Sequence, residues 1–332
     1  MNCLRYLPQK IPEREKDIKI AASDEKHEGK TAINSYTESD FLSEVFITEE
    51  DFKKLRNLIL HKKNVILQGP PGVGKTFVAK RLAYAIIGEK SKDRISFIQF
   101  HQSYSYEDFI QGYRPSKEGG FIVKNGPFYE FCKKAEGDPK NKYFFIIDEI
   151  NRGNLSKIFG ELLMLIEPDK RGEEIKMLYS DKADELFSVP KNLYIIGTMN
   201  TADRSLAMMD YALRRRFSFF DLKPEFDSEG FKLIIKEIGN KKFEEFVKKI
   251  KEVNTDIEND PSLGEGYLIG HSYLCKENLF SEDRKDDMTD DKLDERLKEV
   301  LEYDIIPLLK EYWFEDKNKW KEHSEALRAV LR

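Results

Sequence analysis

The stretch that most constrains this chain is GPPGVGKT, residues 69–76. It satisfies G-x-x-x-x-G-K-[ST] through Gly69, Gly74, Lys75 and Thr76, with Pro70, Pro71, Gly72 and Val73 forming the turn between them. Glycines let a backbone fold tightly enough for its N–H groups to converge on phosphate oxygens. The lysine then reaches the β- and γ-phosphates, and the hydroxyl that follows is offered to Mg²⁺. The flanks agree with the motif. Residues 64–68 (NVILQ) are a short apolar run, and residues 77–87 (FVAKRLAYAII) read as a helix. Strand, glycine-rich loop and helix is the context this chemistry requires. The stretch predicts a nucleoside triphosphate site.

A chain of 332 residues has room for about two domains. Its 40% apolar content can build a core, and its 35% charged content is that of a soluble protein. The formal net charge of −5 gives no general attraction to nucleic acid, so any DNA contact must be local or come through a partner. Cys3, Cys132 and Cys275 are scattered, which argues against a disulfide framework or a cysteine-rich zinc site. His101 and His271 have no second histidine or cysteine at ligand spacing and read as loop or packing residues. No run has the apolar length of a membrane span and the start lacks a signal-peptide core, so the expected location is cytoplasmic.

Residues 1–40 carry mixed charge without a sustained period and are expected to be a flexible arm, with order beginning near Phe41. Residues 48–60 open with a capping Thr48 and place Phe52, Leu55, Leu58 and Ile59 at helical spacing. Further strands are expected at 95–100, 143–147, 193–198 and 217–221. Residues 101–115 read as an aromatic-rich loop in which Tyr104, Tyr106 and Tyr113 serve packing or an interface rather than base stacking. Small hairpins are expected around 121–124 and from 175–179 to 186–189. Strands alternating with helices predict a parallel α/β sheet over residues 41–224. Apolar residues at helical spacing then predict a smaller α-helical domain over 225–332, with Pro307 kinking its last segment or opening a new helix.

Residues 144–149 (FFIIDE) end a buried strand in two carboxylates, where a parallel sheet presents its ligands. Asp148 is placed to hold Mg²⁺ through water and Glu149 to polarise the attacking water. Asn200 ends the next strand, as a turn residue or as a second group orienting that water. Arg214, Arg215 and Arg216 are either a solvated basic patch or a source of an arginine finger for a neighbouring subunit.

Taken together these residues resemble the AAA+ family, and within it the McrB-type GTPase subunits of restriction enzymes that cleave DNA containing methylated cytosine. The resemblance includes FHQSYSYEDFIQGYRP (100–115), IIDEINRGNLSKIFGELLMLIE (146–167), GTMNTADRSLAMMDYALRRRFSF (197–219) and GHSYL (270–274). MNTADRS is similar to that family's own signature. The resemblance implies a five-stranded parallel sheet in order 5-1-4-3-2 with a helical lid. It implies that Asn151 positions water with Glu149, and that Asn200, Asp203 and Arg204 form a loop beside the γ-phosphate. It also implies that Asp210, Arg215 and Arg216 act in trans across a hexameric ring. A McrC-like partner would stimulate hydrolysis and carry the nuclease.

Two features depart from the pattern. Little chain precedes the nucleotide strand, so a DNA-reading domain is expected to be absent, trimmed or supplied by another chain, and DNA would be met through the complex. No N-K-x-D element of guanine recognition occurs, so GTP rather than ATP follows from the resemblance alone. An ATP-driven remodeller of the MoxR or dynein-related type and a non-hydrolysing nucleotide-dependent scaffold remain as alternatives.

Overall fold

A computed structural model describes residues 35–179, 186–203, 211–275, 279 and 289–332. The expected amino-terminal arm lies outside the described residues as far as position 34. Structure is present ahead of Phe41: Tyr36 is buried and its N–H donates to the Gly88 carbonyl at 2.9 Å. Thr37 caps helix α1 (Glu38–Glu44). Its Oγ1 accepts from the Asp40 N–H at 3.2 Å while the Asp40 carboxylate accepts the Thr37 N–H at 2.6 Å. Thr48 caps α2 (Glu49–Lys62), which buries Phe52, Leu55 and Ile59.

Strand β1 (Asn64–Gly69) leads through the glycine loop to α3 (Lys75–Ile87) and then β2 (Ile95–Gln99). Helix α4 (Tyr106–Phe109) and the antiparallel pair β3 (Gln111–Pro115) and β4 (Phe121–Asn125) come before α5 (Pro127–Glu136) and β5 (Tyr143–Asp148). After β5 come α6 (Leu155–Phe159), α7 (Leu162–Leu165), the hairpin of β6 (Glu174–Lys176) with β7 (Leu186–Ser188), and β8 (Leu193–Asn200). Helix α8 (Tyr211–Arg214) and β9 (Ser218–Asp221) complete the unit.

Strands β1, β2, β5, β8 and β9 form one parallel sheet in the order β2-β5-β8-β1-β9. Counted along the chain as five core strands, this is the expected 5-1-4-3-2. The middles of the central strands are continuously apolar because both faces are covered, and their polar residues lie towards the ends. Phe145, Ile147 and Ile195 enter one core, whereas Phe144, Ile146 and Ile196 enter the other. The stretch 101–115 departs from the expected loop. Its aromatic residues fold as α4 and β3, with β3 supplying the partner that β4 needs.

The carboxyl-terminal part is helical: α9 (Glu229–Ile238), α10 (Lys241–Glu258), α11 (Asp290–Glu299), α12 (Ile306–Tyr312) and α13 (Lys317–Val330). Phe243, Phe246, Ile250, Val253 and Ile257 form the apolar face of α10, which packs with Leu293, Leu297, Leu309 and Leu327. Pro307 lies in the first turn of α12, just after a π-helical turn over Val300–Ile305. A proline there lacks the N–H that a continuous α-helix would use, so the ladder widens before it.

A buried arginine ties the amino-terminal ends of the strands together. Arg171 donates to the carbonyls of Ile166 at 2.9 Å and Leu193 at 3.1 Å and to Asn64 Oδ1 at 2.6 Å. Asn64 Nδ2 in turn donates to the carbonyls of Ile166 at 2.7 Å and Arg216 at 3.0 Å. Burial pushes the Arg171 pKa down to about 10, still high enough to keep its charge at neutral pH. Removing the guanidinium takes a donor from each of the Ile166 and Leu193 carbonyls and from Asn64 Oδ1, and a buried acceptor left without one costs about 1–3 kcal/mol. Arg171→Leu is therefore expected to lower the urea-unfolding free energy by on the order of 3 kcal/mol. An unchanged unfolding midpoint would contradict this.

Candidate functional site

The glycine loop joins β1 to α3 at the carboxyl edge of the sheet. Gly72 and Gly74 have φ of 77° and 73°, in the left-handed region that glycine enters without strain. This brings the open amino terminus of α3 to the end of β1, where unpaired N–H groups and the helix dipole favour an anion. Lys75 folds back across the loop, its Nζ donating to the carbonyls of Gly69 at 2.9 Å and Pro70 at 2.8 Å. Burial pushes its pKa down to about 8, opposed by the negative charges of Glu149, Asp148 and Asp203. A half-desolvated cation among three carboxylates is ready to exchange carbonyls for phosphate oxygens.

Asp148 ends β5 beside this lysine. Its Oδ1 accepts the Thr76 hydroxyl at 2.7 Å and the Thr198 hydroxyl at 2.5 Å. The expected metal pair, Thr76 and Asp148, is thus in direct contact. Both contribute hard oxygen donors of the kind Mg²⁺ takes together with phosphate oxygens. Glu149 has φ of 51°, a left-handed conformation costing a non-glycine residue about 1 kcal/mol or more. Its N–H donates to Thr198 Oγ1 at 3.3 Å, and its carboxylate pairs with Arg152 at 3.1 Å. The other arm of Arg152 holds Asp203 at 3.1 Å. Arg152 and Thr198 escaped the sequence reading, although both lie inside stretches that it singled out.

Asn151 Oδ1 is buried and accepts no hydrogen bond within the fold. Asn200 stands opposite Gly69 in the β1–β8 register, and its Oδ1 accepts the Ala202 N–H at 3.3 Å. Lys75, Thr76, Asp148, Glu149 and Asp203 are therefore joined by contact or by charge, and Asn200 borders the loop. Arg204 and Asp210 lie outside the described residues.

Arg215 and Arg216 sit elsewhere. The Arg216 carbonyl is bonded to Asn64, the first residue of β1, whereas the glycine loop begins at the far end of that strand. The length of β1, roughly 17 Å at 3.3–3.4 Å per residue, separates them. Arg216 pairs with Glu167 at 2.8 Å and its side chain is 10% exposed. Arg215 is exposed. Of the tyrosines, Tyr106 is buried with its hydroxyl on Glu161 at 2.8 Å, and Tyr113 packs edge-on against Tyr179.

His271 is a packing residue with a polar task. It is buried, edge-on to Phe46, and its Nδ1 accepts the Glu225 N–H at 3.0 Å, which requires that nitrogen to be unprotonated. Among the described residues no cluster of three or more His, Cys, Asp or Glu is placed to hold a metal, and no helix is long and apolar enough to cross a membrane.

Comparison with known proteins agrees with this architecture. Residues 64–217 match the AAA domain (dynein-related subfamily), and residues 245–321 match the McrB alpha-helical lid domain. The chain is 50% identical over 300 residues to the Type IV methyl-directed restriction enzyme EcoKMcrB subunit of Escherichia coli (strain K12), covering 88% of this chain and 63% of that subunit. It is 27% identical over 274 residues to the Type II restriction enzyme BsuMI component YdiS of Bacillus subtilis (strain 168), covering 69% of this chain and 78% of that protein. The chain thus spans less than two thirds of the E. coli subunit's length.

Burial pushes the His271 pKa from 6.5 down to about 4. Between those values the unfolded chain holds a proton that the native protein lacks, so stability falls as pH drops from about 6.5 towards 4. The loss between pH 7 and pH 5 is on the order of 2 kcal/mol. Burial raises the pKa of Glu225, reinforced by the charges of Asp51 and Asp227, which gives a pH dependence of opposite sign. Urea unfolding of wild type and His271→Phe at both pH values isolates the histidine. The variant is expected to lose less stability on acidification, and equal losses would contradict the assignment.

Proposed function

We propose that this chain, an AAA+ P-loop NTPase carrying an McrB-type helical lid, is the GTP-hydrolysing motor subunit of a modification-dependent restriction system. It assembles in the cytoplasm as a hexameric ring that activates a separate McrC-like nuclease subunit, and it meets DNA through that complex. The observation that carries hydrolysis is the contact of Thr76 with Asp148 beside Lys75, with Glu149 next in the chain. The name of the E. coli relative supports the restriction role, and the MNTADRS resemblance supports GTP.

In this reading the loop N–H groups and Lys75 bind the triphosphate and neutralise its charge. Thr76 and Asp148 hold Mg²⁺, which when bound withdraws charge from the phosphate oxygens. Glu149 accepts the proton of the attacking water. Asn151 Oδ1 and Asn200 fix that water's orientation, and the resemblance assigns Asp203 and Arg204 to the γ-phosphate. Arg152 holds Glu149 and Asp203 together and so keeps both carboxylates in register. Arg215 and Arg216, far from their own glycine loop, serve the nucleotide of the adjacent subunit together with Asp210. Arg215 is the exposed member, and Arg216 anchors the segment through Glu167.

A second reading has one observation in its favour, the match to the dynein-related AAA subfamily: an ATP-driven remodeller. Competition of GTP and ATP against a labelled GTP analogue separates the two. GTP should displace it at lower concentration, and displacement by ATP at equal or lower concentration would favour the remodeller.

Lys75→Ala should lose nucleotide affinity, whereas Glu149→Gln should bind and assemble with turnover reduced about 100-fold or more. Wild-type affinity in Lys75→Ala would contradict the site. Arg215→Ala should bind nucleotide normally and hydrolyse on the order of 10³-fold more slowly in the assembled ring. Full turnover by that variant would remove Arg215 from the trans role.

A further inference from the structure

A loop that turns its N–H groups inward to an anion must turn carbonyls outward, and those carbonyls need partners. Four successive carbonyls of the glycine loop find them in two different places. Lys75 Nζ serves Gly69 and Pro70, and the Thr201 N–H also reaches Gly69 at 3.1 Å. The next two are served by the helical part of the chain. The Gly270 N–H donates to the Pro71 carbonyl at 3.1 Å, and the Ser272 N–H to the Gly72 carbonyl at 2.8 Å.

The fit at this contact excludes side chains. A Cβ on Gly270 would lie 2.0 Å from the carbonyl carbon and oxygen of Gly72 and 2.5 Å from the Val73 nitrogen, all backbone atoms that have nowhere to go. A Cβ on Gly72 would meet the Tyr273 ring at 2.5 Å. The two glycines interlock. The strap over residues 264–274 is itself held from behind. The buried Asn254 of α10 donates to the Ile269 carbonyl at 2.9 Å and accepts the Ile269 N–H at 2.7 Å. Thr201 Oγ1, just past the end of β8, donates to the Gly266 carbonyl at 2.9 Å.

We propose that this strap is a positioning element of the nucleotide site: Gly270 and Ser272 hold the outer carbonyls of the glycine loop so that its N–H groups stay aimed at phosphate, and Asn254 sets the strap. The inference builds on the reading that the loop binds nucleotide. The strap carries no lysine or arginine, so it acts on the loop through main-chain hydrogen bonds and close packing rather than through a charge on the nucleotide. Coupling of this kind is reciprocal: an occupied loop holds the strap as firmly as the strap holds the loop. It ties the position of the helical lid to nucleotide occupancy and depends little on salt.

The test uses the full chain, a fluorescent GTP analogue and Mg²⁺. Each net hydrogen bond is worth roughly fivefold, so Gly270→Ala, which displaces both, should weaken binding about 10-fold or more. KM should rise while kcat at saturation stays within about threefold, the pattern of lost binding rather than lost chemistry. Asn254→Asp keeps the acceptor for Ile269 and loses the donor, so its affinity should fall between wild type and Asn254→Ala. Hydrogen exchange of the unaltered protein gives a reading free of folding defects: nucleotide should slow exchange across residues 264–274. Failure of wild type to bind the analogue defeats the nucleotide reading itself. Binding by wild type, with Gly270→Ala equally tight or with exchange at 264–274 unmoved by nucleotide, overturns the strap.

Discussion

One carboxylate oxygen joins the parts of this molecule that must not drift apart. Asp148 Oδ1 accepts hydroxyls from Thr76 at the start of α3 and from Thr198 in β8, and its own strand lies beside β8 in the sheet. Charge-assisted hydrogen bonds of this kind are short and roughly twice as strong as neutral ones. They close a triangle across β5, β8 and the helix that follows β1. Thr198 also accepts the Glu149 N–H, so the same hydroxyl that holds Asp148 helps keep its neighbour in a left-handed conformation. Displacing Asp148 would move the candidate metal pair and the candidate base together.

The two ends of β1 carry opposite kinds of restraint. At its carboxyl end the loop is gripped by a lysine on its carbonyls and by main-chain amides of the strap. At its amino end Asn64 and Arg171 build a buried network that also holds the Arg216 carbonyl. The segment carrying Arg215 and Arg216 and the glycine loop thus meet opposite ends of one strand.

The grouping of Lys75, Thr76, Asp148 and Glu149 was legible because its parts are contiguous in the chain. GPPGVGKT and FFIIDE carry their chemistry in adjacent residues, and strand periodicity places both at the same sheet edge. The parallel sheet followed from the alternation of elements and the helical domain from apolar residues at helical spacing, whereas the strand order came from the resemblance alone. Other features were silent for a shared reason. The strap acts through the N–H groups of Gly270 and Ser272, and main-chain donors leave no mark on residue type. The buried Arg171 looked like any surface arginine, since its partners Ile166, Leu193 and Asn64 meet it only in the fold. Residues 101–115 were misjudged because Gly112 and Pro115 lie within β3, whose partner β4 follows only beyond a turn. Arg152 was hidden by its position between two acids distant in sequence.

The central claim is that Asp148 organises metal and loop as one unit, and nucleotide titration calorimetry tests it directly. Wild type should bind the GTP analogue at least about 10-fold more tightly with Mg²⁺ than without it. Asp148→Asn should bind without Mg²⁺ within about threefold of wild type, yet gain almost nothing when Mg²⁺ is added. A variant that keeps the full Mg²⁺-dependent gain would show that the metal is held elsewhere and contradict the account.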